Sequence, residues 1–230
     1  MKLPTVRKVH FKLSHIIFTI LALLLAVFFI RVAVWEHNYL ERMEGSERAT
    51  APMVSVDKDE EVDDKLPTST EVAEYTVAAD KPRYFSIPSL GLKNARVVEI
   101  GLKSSGELST PYNIYDVGWY NASALPGSDK VSVMDGHSGS NGLGVFGKLP
   151  RVEIGAEILV EMGDGRLYTY RVVETAVKKI GDEANDYMVN VFTPLEPGKG
   201  TLSLITCTGD YLLTQRTFSH RFFLRAILEN

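Results

Sequence analysis

The chain has 230 residues, room for one domain of ordinary size plus accessory segments. Apolar residues make up 45% of it, enough to bury a core, and the net charge of −4 lacks the basic footprint of a nucleic-acid-binding protein. A single cysteine excludes an internal disulfide framework and any multi-thiolate metal cluster.

The first element is the apolar run Leu13–Ile30, preceded by Lys2, Arg7, Lys8 and Lys12 and followed by Arg31. As a helix, about 18 residues span roughly 27 Å, close to the thickness of a bilayer's hydrocarbon core. The pattern predicts a single-pass signal anchor over residues 13–34, with residues 1–12 in the cytoplasm and the remainder outside the cell. A cleaved signal peptide has a shorter apolar core and small residues at its cleavage site. Here bulky Val27, Phe28, Phe29 and Ile30 separate Ala26 from Ala33, so retention is expected.

Residues 35–80 change character. Asp57, Asp59, Glu60, Glu61, Asp63 and Asp64 crowd together, and Pro52 and Pro67 interrupt. Few large apolar residues offset the entropy of ordering, so an acidic, flexible linker is expected, its first residues able to continue the anchor helix. The carboxylates lack the spacing and the glycine of a calcium loop, and no metal site is assigned.

From residue 81 to 230 the chain reads as one β-rich domain. Runs beginning at Arg83, Ala95, Lys130, Ala156, Arg166, Thr201 and Arg216 are rich in Val, Ile, Tyr, Phe and Thr and are bounded by Gly and Pro. Met162-Gly163-Asp164-Gly165 predicts a hairpin. Short helical pieces are expected at 121–124, 145–149 and 182–191. Several short strands with irregular connections predict a closed or half-closed barrel.

Three positions attract chemical attention. Cys207 closes a strand where it runs into a loop; a lone cysteine is a nucleophile or a small buried hydrophobe. His137 follows a strand in the same way, with Gly136 before it, and is a reactive imidazole or an ordinary surface residue. Arg221, Phe223 and Arg225 share one face of the last strand, while Phe222, Leu224 and Ala226 face the other way. Each signal alone is compatible with a purely structural role.

Taken jointly, the segments resemble the sortase family. The likeness runs from Arg83 to Leu228. It rests on Ile87-Pro88, Gly118-Trp119-Tyr120 followed by Pro126-Gly127, Gly136-His137, Gly144-Val145-Phe146 with Leu149, and Gly155. It rests further on Thr201-Leu202-Ser203-Leu204-Ile205-Thr206-Cys207 and on Arg221 with Ala226 after it. The Trp-Tyr…Pro-Gly segment and the lack of a pilin-type lid look most like classes E and F, with class D behind; Asp135 stands where the family carries a small residue. The resemblance implies a mainly β, eight-stranded sortase barrel with short helices. It also implies a cysteine transpeptidase with Cys207 as nucleophile, His137 as acid/base and Arg221 as oxyanion support, with Arg216 as the alternative arginine.

The implied reaction is cleavage of an LPXTG-like sorting signal between Thr and Gly. The acyl group then passes through a Cys thioester to an amine on a peptidoglycan precursor or a pilin lysine, with no cofactor and no metal. Thr206, Thr208 and Ser138 are expected near the reacting carbonyl, and Tyr187, Val189 and Phe192 along the wall that holds the Leu and Pro of the signal. Implied partners are surface proteins bearing the signal, the acceptor amine, and the bilayer. Two rivals remain open. One is a papain-like hydrolase of cell-wall peptides, which places Cys before His in the chain and on a helix N-terminus. The other is a non-catalytic anchored β domain.

Overall fold

The computed structural model describes Arg31 and residues 62–139 and 142–229. The anticipated anchor (apart from Arg31), the cytoplasmic residues 1–12 and most of the acidic linker lie outside the described residues. Among those described, no helix is long and apolar enough to cross a membrane.

Eight strands form a closed barrel: β1 (Pro82–Ile87), β2 (Leu92–Ile100), β3 (Val117–Tyr120), β4 (Val131–Asp135), β5 (Glu157–Met162), β6 (Leu167–Lys179), β7 (Thr201–Leu212) and β8 (Thr217–Leu228). Their order around the barrel is β1-β2-β3-β4-β7-β8-β6-β5, and β1–β5 pairing closes it. Two neighbouring pairs, β2–β3 and β4–β7, are parallel. Parallel partners cannot be joined by a tight turn, so the chain makes long crossings there. Residues 101–116 carry it from β2 to β3, and this loop later supplies part of the site.

Seven strands fall where the β-rich runs predict them. β3 is the addition: Val-Gly-Trp-Tyr is short, and its first three residues are buried, leaving no polar alternation to reveal it. The hairpin forms as expected, with Gly165 at φ 85° donating its N–H to Met162 O at 3.0 Å.

Two helices are described over their full length, α1 (Ser69–Ala73) and α2 (Asp182–Val191), with short 3-10 turns at Pro88–Leu90 and Leu149–Arg151. The helix expected at 121–124 is instead a turn, and of the one expected at 145–149 only Leu149 is helical, opening the 3-10 turn after a turn over 145–148. In the first, the Ser123 hydroxyl donates to Tyr120 O at 2.6 Å and accepts Val133 N–H at 3.0 Å, offering the backbone a non-helical arrangement.

Alternation along the strands divides the apolar residues into two cores. Phe85, Trp119, Met134, Tyr170, Leu202, Leu204, Phe222 and Leu224 fill the barrel interior. On the outside, Val131, Val133, Ile205 and Phe223 pack beneath α2, whose Ala184, Met188 and Val191 recur at helical spacing on its buried face. Asp182 and Glu183 in the first turn of α2 complement its dipole. Ser203 Oγ donates to Val191 O at 2.8 Å and ties the end of α2 to β7. Each fully buried large side chain contributes about 1.5–3 kcal/mol.

Residues 62–80, part of the stretch read as linker, make definite contacts with the barrel. Thr68 and Glu71 cap α1 reciprocally, with Thr68 N–H donating to Glu71 Oε2 at 2.7 Å and Glu71 N–H to Thr68 Oγ1 at 3.2 Å. Tyr75 donates its hydroxyl to Val97 O at 2.5 Å, and Tyr84 donates to Val72 O.

Candidate active site

Two strand pairings set the site. β4 and β7 run parallel in register from Val131↔Thr201 to Asp135↔Ile205. The contact continues past β4: Gly136 N–H donates to Ile205 O at 3.3 Å, and the Thr206 hydroxyl donates to Gly136 O at 2.8 Å. Position 137 therefore falls beside position 207. On the other side of β7, antiparallel β8 puts Arg221 directly opposite Cys207. The three residues form one row across adjacent chains, and at about 4.8 Å per strand spacing the row spans roughly 10 Å.

All three residues line one cleft, together with Thr110, Asp135, Met188, Ile205 and Thr206. A wider groove shares His137, Cys207 and Arg221 and extends over Val62, Asp64, Ser138, Arg216 and Phe218. His137 and Cys207 thus open to the same space, rather than to opposite sides of the barrel. Cys207 lies within strand β7, not at a helix N-terminus.

The His137 ring is half-buried, and its Nε2 lies 2.7 Å from Pro111 O. A carbonyl oxygen only accepts, so Nε2 carries the hydrogen and Nδ1 is the nitrogen at which a proton can come and go. The backbone around the ring is held tightly: His137 O accepts Phe146 N–H at 2.9 Å, and Ser138 O accepts Gly144 N–H at 3.0 Å. A Cβ on Gly144 would sit 2.3 Å from His137 O, so only glycine allows the two turns to meet this closely.

Arg221 is 3% exposed. Its Nη1 donates to Phe218 O and His220 O, both at 3.2 Å, and Nη2 donates to Thr217 Oγ1 at 3.1 Å. The permanent charge is thereby locked in one pose beside Cys207, where it favours negative charge on the sulfur or on a reacting oxygen. Thr217, four residues before Arg221 on the same face of β8, was findable from strand alternation. Arg216 also borders the wider groove, from a left-handed turn position at φ 52°, but Arg221 is the arginine in register with Cys207.

The remaining anticipated residues divide. Thr206 lines the cleft, yet its hydroxyl is committed to Gly136 O. Ser138 is buried at the edge of the wider groove, and its Oγ has no hydrogen-bond partner among the described residues. Thr208 pairs with His220 and does not appear in the lining of either space. Tyr187, Val189 and Phe192 are likewise absent from that lining. Tyr187 donates to Glu174 Oε1 at 2.5 Å and packs on Phe223, its ring centroid 4.8 Å away; Phe192 packs edge-on against Tyr120, and Val189 is 62% exposed. The residue of α2 that reaches the cleft is Met188, on the helix's buried face. Thr110 and the Pro111 carbonyl, from the loop between β2 and β3, had no periodic signal to announce them. Among the described residues, no cluster of three or more His, Cys, Asp or Glu is placed to hold a metal ion.

A model of the sortase domain matches residues 85–229. The chain belongs to the sortase family. It is accordingly a cysteine transpeptidase. Among solved structures, a pilus-related sortase C of Group B Streptococcus is similar at 14% identity, with a TM-score of 0.50, over 79% of this chain and 81% of that one. Sortase C1 from Streptococcus agalactiae is 24% identical over 71% of this sortase and 78% of its own chain, TM-score 0.47. A Clostridium perfringens sortase D5 transpeptidase is 18% identical over 70% and 86%, TM-score 0.47. The first of these, at 14% identity, shows a likeness of fold alone. No curated protein sequence matches the chain.

Proposed function

We propose that this sortase cleaves an LPXTG-like sorting signal between Thr and Gly and transfers the acyl part to an amine, on a peptidoglycan precursor or a pilin lysine. The observation that carries the reading is the row in which Cys207 is flanked by His137 on β4's extension and by Arg221 on β8.

The Cys207 thiolate attacks the Thr carbonyl carbon, forming the S–C bond as the carbonyl electrons move onto oxygen. Arg221 donates hydrogen bonds to that oxyanion from a pose already fixed by Thr217, Phe218 and His220, so little reorganisation is needed. Collapse of the tetrahedral species breaks the C–N bond, and protonated His137 delivers a proton from Nδ1 to the departing glycine amine. The incoming amine attacks the thioester, loses its proton to Nδ1, and expels the thiolate. Met188, Leu108 and Ile205 line the apolar side of the cleft and suit the aliphatic part of the signal.

The proposal extends to location and subclass. Residues 13–34 anchor the protein with residues 1–12 in the cytoplasm, residues 35–80 form the spacer, and residues 81–230 work outside the membrane. The Gly118-Trp119-Tyr120 and Pro126-Gly127 motifs favour class E or F. The test is incubation with an LPXTG-type peptide and an amine. Ligated peptide is expected; hydrolysis without ligation, or no turnover across signal variants, would overturn the reading.

A further inference from the structure

We infer that Asn113 is a positioning residue, which couples the segment ahead of the barrel to the carbonyl that orients His137. The inference rests on His137 being the acid/base proposed above.

The His137 ring takes its orientation from Pro111 O, which lies in the loop from β2 to β3 rather than in a strand. Something must hold that loop. Asn113, two residues on and 7% exposed, makes three side-chain bonds. Its Nδ2 donates to Asp63 Oδ2 and to Lys65 O, both at 2.9 Å, and its Oδ1 accepts Tyr115 N–H at 2.9 Å. The backbones are joined as well. Asp63 N–H donates to Tyr112 O, and Ile114 N–H donates to Asp63 O, each at 2.9 Å. Residue 63 thus forms a bridge with residue 113, on the loop whose carbonyl holds the imidazole.

The far end of the same loop is clamped by Arg96 to Asp116, with bonds of 2.8 and 3.0 Å. Burial holds the Asp116 carboxyl above the ordinary range, and Arg96 offsets only part of that rise. Pro111 lies just ahead of both fixed points, two residues before Asn113 and next to Tyr112, whose carbonyl accepts Asp63 N–H. Val62 and Asp64, on either side of Asp63, border the groove that holds Cys207 and His137. The segment lies upstream of the residues matched by the sortase domain, yet it is built into the edge of the site.

Cutting the Asn113 amide removes the donor to Asp63 Oδ2 and Lys65 O, leaving Asp63 only the Lys65 N–H on Oδ1, and loosens the Pro111 carbonyl. The hydrogen bond that keeps the proton on Nε2 then weakens, and the ring samples poses in which Nδ1 no longer faces the reacting amine. A misplaced catalytic group costs about a hundredfold in rate, so a drop in kcat of between about tenfold and that figure is expected, with KM for the peptide little changed.

The test uses the full chain and four variants, Asn113→Ala, Asp63→Ala, Asp63→Asn and His137→Ala, read by peptide-ligation kinetics and by NMR of the histidine ring nitrogens. Asn113→Ala and Asp63→Ala should lower kcat and convert the His137 signal from the Nε2–H form to a tautomer mixture. Asp63→Asn, which keeps an acceptor oxygen at the same reach, should restore both. Wild-type kcat and tautomer in Asn113→Ala would overturn the inference, as would a loss explained by the unfolded fraction alone with unchanged ring signals. His137→Ala separates the two levels: if it stays active, the acid/base assignment itself fails; if it is inactive while Asn113→Ala is normal, only the coupling fails.

Discussion

Replacing Thr206 by Val keeps the shape of the side chain and removes one hydroxyl. That hydroxyl is 1% exposed as a residue and donates to Gly136 O at 2.8 Å, tying β7 to the turn that carries His137. Valine leaves the carbonyl facing a methyl group with no water to replace the donor. An unsatisfied buried polar group costs about 1–3 kcal/mol. For a domain of this size, each kcal/mol lowers Tm by about 2–4 °C. Urea unfolding should therefore show a lower midpoint at unchanged slope, and Thr206→Ser should behave like the parent. Because Gly136 immediately precedes His137, kcat should fall in Thr206→Val under conditions where the protein is fully folded. A midpoint shift worth less than about 0.5 kcal/mol, together with unchanged kcat, would refute the view that this bond couples the two strand ends.

Gly144→Ala places a Cβ 2.3 Å from His137 O; the clash is with backbone, so activity should drop sharply and thermal unfolding should come earlier by several degrees, checked by ligation rate and calorimetry. Arg221→Lys keeps the charge but not the planar fork, and should lower kcat by about 100-fold or more while leaving peptide binding measurable by titration calorimetry. Burial raises the Tyr170 hydroxyl from 10.0 to about 12, while the N–H of Gly127 that it accepts works in the opposite direction. Its contribution to stability is therefore full below about pH 10 and is lost as pH rises through about 12, a difference of about 3 kcal/mol. Tyr170→Phe should flatten that part of the alkaline denaturation curve, measured by unfolding at fixed pH values.

Much of the barrel was legible because strands with one dry face carry their own period. The outward row Arg221, Phe223, Arg225 and the inward row Phe222, Leu224, Ala226 stand as alternation requires, with Phe223 beneath α2 and Leu224 in the interior. What the pattern does not carry is neighbourhood. Nothing local in Val131–Asp135 announces that it will run parallel to Thr201–Ile205, although that pairing brings His137 to Cys207. Within the segment before β7, the sequence shows the helix at 182–191 but not which of its apolar residues meets the site. Tyr187 and Val189 are absent from the cleft lining, whereas Ala184, Met188 and Val191 form the buried stripe and Met188 reaches the cleft. The loop of residues 101–116 was silent because its partners, Asp63 and Lys65, lie about fifty residues upstream in a stretch whose composition reads as solvated spacer.

Intact-mass spectrometry of the acid-quenched enzyme, after brief exposure to a sorting-signal peptide, tests the chemistry most directly. The expected result is an adduct equal to the acyl fragment ending in Thr, mapped to Cys207 and discharged when an amine is added. Peptide cleavage with no adduct at that sulfur, or persistent turnover in Cys207→Ala, would contradict a thioester mechanism.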